Sequence, residues 1–158
     1  MTGTIVLAGV LAAPLILGIL FRVNVTFLFF SVMAGELLGR YFGEDLNLLI
    51  YTQFRNITLA TYGEILLIVL PLVLTAIFLR KSLTKGKTLV HIIPFIVTGV
   101  VFAAFVLPLL PEDIRRQVQE LALGDWLIHL NKVIIGAVII SQLITLWLLN
   151  RAHIKHKH

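Results

Sequence analysis

The sequence predicts an all-α fold: a polytopic transmembrane helical bundle of about five spans, N-terminus outside and C-terminus inside, with two amphipathic helices at the membrane surface. Three observations carry that expectation. Hydrophobic residues fill 59% of the 158 positions and charged residues only 13%, more apolar surface than one soluble core of this size can hide. The apolar residues fall in long runs separated by short polar segments. Most of the cations gather in segments without acids, while the carboxylates fall in segments that mix acids with few bases, which is the asymmetry that orients membrane proteins.

The first run, 4–21 (TIVLAGVLAAPLILGILF), carries no charge and ends at Arg22. At ~1.5 Å per residue it measures about 27 Å, close to the thickness of a bilayer's hydrocarbon core. No basic segment precedes it and no small-residue cleavage pattern follows, so it reads as a retained span and not as a signal peptide. The second run, 25–42, follows after only Arg22, Val23 and Asn24. One helix over both would reach ~58 Å, about twice the hydrocarbon thickness, so the chain is expected to turn near Asn24; a re-entrant 25–42 is the alternative.

The third run is 63–79, the fourth 89–110 and the fifth 126–149, with Pro71, Pro94 and Pro108 inside or near their ends. Membrane helices accept proline where neighbours satisfy the freed carbonyls. Between the runs, Leu46, Ile50, Phe54 and Ile57 recur opposite Asn47, Gln53 and Asn56, and Ile114, Val118 and Leu121 oppose Glu112, Arg115, Arg116 and Gln119. Both segments, 44–62 and 111–125, read as interfacial helices, the second started by Pro111, Glu112 and Asp113. Residues 1–150 then form a single transmembrane domain, and 151–158 a basic cytoplasmic tail.

The 80–88 loop holds Arg80, Lys81, Lys85 and Lys87 without an acid, and the tail adds Arg151, Lys155 and Lys157. These segments are expected on the cytoplasmic side together with Arg22, and 43–62 and 111–125 on the other.

The stretch SVMAGELLGRYFGEDL, 31–46, places Ser31, Gly35, Gly39 and Gly43 four apart, with Glu36, Arg40 and Glu44 four apart beside them. Small residues at that spacing let helix backbones approach closely in lipid, within the chain or between two copies. The adjoining row puts Glu36 ~9 Å inside the expected helix end, where an unpaired carboxylate is costly. Arg40, Glu64, His129 and Lys132 are expected at the same depth or nearer the surface, so Glu36, Arg40, Glu64, His129 and Lys132 make a candidate polar site, with Lys132 the preferred cross-helix partner of Glu36. The alternative is that Glu36 and Arg40 anchor a helix end and Lys132 snorkels to the interface. Toward the other face, Ser141, Gln142 and Thr145 read as interhelical hydrogen-bond groups.

The chain has no cysteine, which removes disulfides, thiolate metal sites and cysteine nucleophiles. His153, His156 and His158 lie on a short basic tail without the fixed geometry of a metal site, and His91 reads as interfacial. The N-x-T triplets at Asn24 and Asn56 are short, and Asn24 falls on the expected cytoplasmic side. No phosphate-binding loop, HExxH or GxSxG motif is present, so no enzymatic activity, cofactor or metal is expected. The basic segments lack interleaved aromatics, which disfavours nucleic acid as a partner.

With the N-terminal hairpin GILFRVNVTFLFFSVMAGELLGRYFGEDL, an amphipathic stretch, a third span, a basic loop and a fourth span, residues 10–110 resemble the colicin V production (CvpA) family of bacterial inner-membrane proteins. The resemblance implies an accessory protein of the cell envelope in a bacterium and transfers no catalytic residues. The expected function is therefore that of a non-enzymatic scaffold or assembly partner, embedded in the lipid bilayer and joined to a membrane-protein partner or a second copy. A small transporter or channel subunit using the outer-leaflet site around Glu36 and Lys132 is the alternative.

Overall fold

The computed structural model describes residues 2–55, 57–82, 92–129 and 132–155, and all its regular elements are helical. They are α1 (Thr2–Phe21), α2 (Val25–Phe54), α3 (Ile57–Phe78), α4 (Ile92–Val106), a 3-10 turn (Leu107–Leu109), α5 (Glu112–Gln119), α6 (Ala122–Ile128) and α7 (Lys132–Lys155). Lys85, Lys87, His91, Asn131, His156 and His158 lie outside the described residues, as does Asn56, and so do the side chains of Lys132, Arg151, His153 and Lys155.

Three of the helical stretches, Thr2–Phe21, Val25–Gln53 and Ile92–Leu109, are long and apolar enough to cross a membrane; Tyr62–Phe78 and Ile135–Thr145 are apolar but shorter. Their outer surfaces match that reading. Ile5, Leu20, Phe78 and Ile140 are all exposed, an arrangement that suits lipid and would be an aggregation hazard in water. α1 buries only the stripe Gly3, Leu7, Pro14 and Gly18, spaced to face one side of a helix.

The first two helices meet where the sequence places the turn. Asn24 caps α2 by accepting from the Thr26 amide at 3.1 Å, which satisfies one of the donors left free at a helix start. Val23 and Val25, on either side of Asn24, are fully buried and fix the turn to the core.

Three boundaries differ from the sequence reading. The segment 44–62 is not a separate interfacial helix: α2 runs unbroken through Glu44 and Asp45 to Phe54, and the chain reverses at Arg55, whose φ is 49°. Nothing between 43 and 54 forces a break, because the carboxylates sit on an exposed face and proline is absent. Likewise, 111–125 forms no single helix; α5 ends at Gln119 and α6 begins at Ala122. The fifth apolar run also starts later than expected, since Trp126 belongs to α6 and α7 begins at Lys132.

α2 and α3 form an antiparallel hairpin whose register is set by glycine. A Cβ built on Gly35 would lie 2.5 Å from the Ile68 carbonyl oxygen, so only glycine admits this approach of the two backbones. α4 is the central helix, with ten of its fifteen residues buried. It packs antiparallel to α1, Gly99 facing the Leu11 carbonyl and Gly18 facing the Phe95 ring. The main core joins Val25, Phe29 and Val32 of α2, Ile68 and Leu72 of α3 and Phe95 and Phe102 of α4; a smaller one joins Leu7, Ala103, Val118 and Leu127 under α5 and α6.

A buried polar side chain ties α7 to α4. Gln142, 2% exposed, donates to the Pro94 carbonyl at 3.0 Å, beside the Thr98 hydroxyl, which donates to the same oxygen at 2.8 Å. Thr145 bonds within its own helix, to the Ser141 carbonyl. Replacing Gln142 by Leu is expected to destabilise the docking of α7 by about 1 kcal/mol, the scale of interhelical hydrogen bonds in lipid. An SDS unfolding titration of the protein in mild detergent, following α7 by Trp147 fluorescence, measures it.

Candidate functional site

The helix periodicity of α2 puts Glu36, Arg40 and Glu44 on one face, and that face borders a cleft of about 420 Å³ between α2, α3, α4, α6 and α7. The glycine row next to it is what opens the cleft toward α3. Gly39 meets only the Ile68 side chain, and a Cβ at Gly43 would come within 3.2 Å of Glu64 Cγ, so Gly43 makes room for Glu64 to reach the α2 surface. There the Asn47 side-chain amide donates a hydrogen bond to Glu64 Oε1 across the hairpin.

Glu36 accepts from Arg40 Nε at 2.7 Å, its own side chain 16% exposed and that of Arg40 64%. The acid stands N-terminal to the base at i,i+4, the favourable order on a helix. Ala104, Phe105, Pro108, Leu109, Ile128 and Ile135 form the opposing apolar wall. Among the described residues that line the cleft, three carboxylates (Glu36, Glu44 and Glu64) accompany one guanidinium (Arg40), a formal excess of two negative charges. Such a surface attracts cations and repels anions.

Of the residues singled out in the sequence, Glu36, Arg40 and Glu64 thus line one cleft. His129 does not join them: at the end of α6 its Nδ1 lies 3.0 Å from Asp125 Oδ1, both side chains exposed. The Lys132 side chain, the preferred partner for Glu36, lies outside the described residues; its position in the chain is one helical turn before Ile135, which lines the cleft. Ser31 is buried, with its hydroxyl donating to the Leu28 carbonyl of its own helix at 2.7 Å. Sequence reasoning assigned Asn47 to the polar side of an interfacial helix and missed its bond to Glu64, because that contact depends on the α2–α3 register.

A second cavity, of about 780 Å³, opens between α1, α4 and α6 and is almost wholly apolar. Ala8, Ala12 and Val100 line it together with Leu123 and Trp126 of α6. Its size falls within the range of pockets that hold small molecules. Among the described residues, no group of three or more His, Cys, Asp or Glu side chains is arranged to hold a metal ion. Compared with protein-family models, with curated proteins and with solved structures, the chain finds no match.

Proposed function

We propose that the protein is a non-enzymatic accessory component of a cell-envelope membrane that assembles with a partner by seating one of the partner's transmembrane helices in the α1–α4–α6 groove. In this reading α1, α2, α3, α4 with its 3-10 turn, and α7 cross the bilayer, and α5 and α6 cap the acidic face. α2, at ~1.5 Å per residue, is about 45 Å long and continues beyond a hydrocarbon core of about 30 Å, which places Glu44, Asp45 and Asn47 at the outer interface. The acid-free ends around Arg22, Arg80 and Lys81 lie in the cytoplasm. The resemblance to the colicin V production family supports the same setting, a bacterial inner membrane.

The observation that carries the reading is the groove itself. Ala8 and Ala12, one turn apart on α1, line an open apolar channel, and small residues at that spacing allow the close backbone packing that holds membrane helices together. By contrast, the glycine face of α2 is occupied by Ile68 and Glu64 of the same chain, which disfavours Gly35, Gly39 and Gly43 as a seam between copies. Because the chain has no cysteine, Ala12→Cys supplies a single thiol. Expressed in its native membrane and treated with a photoactivatable maleimide, it is expected to give one discrete heteromeric adduct, whereas Ile140→Cys, exposed on α7, gives none. Equal labelling from both positions, or adducts only between copies, would reject the groove as a partner site.

The excess negative charge of the second cleft favours one further reading, a small transporter or channel subunit that admits cations along Glu36, Glu44 and Glu64. Cation flux into liposomes that disappears in Glu36→Gln would support it.

A further inference from the structure

We propose that the loop pair at the basic end of the bundle is a binding site for an anionic phospholipid, its phosphate held by Arg22, Arg80 and Lys81 and its acyl chains lying against Leu20 and Phe78. The proposal rests on the membrane reading above and concerns a different part of the molecule from the groove.

Two loops that are distant in sequence are joined there. The Lys81 amide donates to the Phe21 carbonyl at 2.8 Å, and the Asn24 amide donates to the Ser82 hydroxyl at 2.9 Å. These bonds hold the residues following α1 and α3 side by side, so that three cations share one surface. Arg80 and Lys81 are exposed and Arg22 is half-buried. Arg22 and Lys81 both sit in the left-handed region, with φ of 54° and 68°, where glycine is the easier residue. The chain carries a cation at each of these positions instead.

Among the described residues, no carboxylate is paired with them. All eight side-chain carboxylates of the chain lie within 36–64 and 112–125, that is, from the fourth turn of α2 to the first turns of α3, and across α5 and α6. Two residues inward from Arg22 and Arg80 the surface becomes apolar, with Leu20 70% and Phe78 77% exposed. Charge followed by an apolar collar matches a phospholipid, whose phosphate sits at the interface above its acyl chains. A free phosphate or a polyanion in water would use only the first half of that surface.

The experiment uses the full chain reconstituted in phosphatidylcholine bilayers with trace spin-labelled phosphatidylglycerol or phosphatidylcholine, comparing the fraction of each label immobilised by the protein. Each cation near an anionic lipid is worth roughly a fivefold preference. The wild type should therefore retain phosphatidylglycerol at least about fivefold over phosphatidylcholine, and Arg22→Gln/Arg80→Gln/Lys81→Gln should bring the ratio near one. Arg80→Lys should keep the preference, and Phe78→Ala should weaken retention of both lipids alike. Equal retention by the wild type, an undiminished preference in the triple variant, or displacement of the label by inorganic phosphate at constant ionic strength would overturn the proposal. Resistance to alkaline carbonate extraction is read in parallel. A protein that stays in the membrane without selectivity refutes the lipid site alone, and one that is extracted refutes the membrane reading itself.

Discussion

Gly99→Val is expected to be among the most damaging single substitutions in the bundle. A Cβ at Gly99 would lie 2.3 Å from the Leu11 carbonyl oxygen of α1, and neither partner can yield locally, since both are helical backbone. α1 must therefore move away from α4, opening the contact that also seats Gly18 on Phe95. Overpacking of this kind costs about 3 kcal/mol or more when backbone is involved. Gly35→Val faces the Ile68 carbonyl in the same way and should separate α2 from α3. Gly9 and Gly136, with nothing within 4 Å of a built Cβ, are the controls; valine there should change stability by less than about 0.5 kcal/mol. SDS unfolding titrations of the four variants in one detergent measure the difference. Similar losses at all four positions would mean that the helix contacts are elsewhere.

The second large effect concerns the groove. Ala12→Trp places an indole in the open space between α1, α4 and α6, because Ala12 lines the cavity. Partner recovery should fall at least tenfold, which corresponds to about 1.4 kcal/mol of binding, while the unfolding titration remains that of the wild type. The pairing of these two readouts matters. A loss of both would show that the groove is part of the folded core, and retention of the partner would show that it docks on another surface.

How far these features could be read in the sequence depends on what determines each. Phe21 and Val25 bound the first turn within a residue or so of its expected place, because an uncharged run ending at Arg22 and a capping Asn24 are local signals. The end of α2 was not legible. Glu44 and Asp45 look like the end of a span by hydropathy, yet a helix that leaves the membrane can continue in water, and here it ends at Arg55 in a conformation that glycine usually marks. The break between α5 and α6 likewise has no proline or glycine at Glu120 or Leu121; it is set by the packing of Val118 and Gly124, whose contact requires the chain to fold back on itself.

The candidate site shows the same division. Glu36 and Arg40 are an i,i+4 pair that any helix brings together, so their 2.7 Å bond follows from spacing alone. Glu64 lines the same cleft through the α2–α3 register that Gly35 and Ile68 impose, which no local pattern specifies. His129 was placed with the site because of its distance from Trp126 along an expected continuous helix. Once α6 ends at Ile128, that distance no longer applies, and Asp125 is the nearer partner.

The membrane placement of the two ends underlies both the groove and the lipid site, and one labelling measurement tests it. Ser82 and Asp113 are exposed at opposite charge poles of the chain, and each can be made its only cysteine, since the native sequence has none. With a membrane-impermeant maleimide applied to intact cells, Asp113→Cys should be labelled at once and Ser82→Cys only after the membrane is opened. Labelling of both from outside, or of Ser82→Cys alone, would contradict a bundle that presents its carboxylates outward and its acid-free basic loops to the cytoplasm.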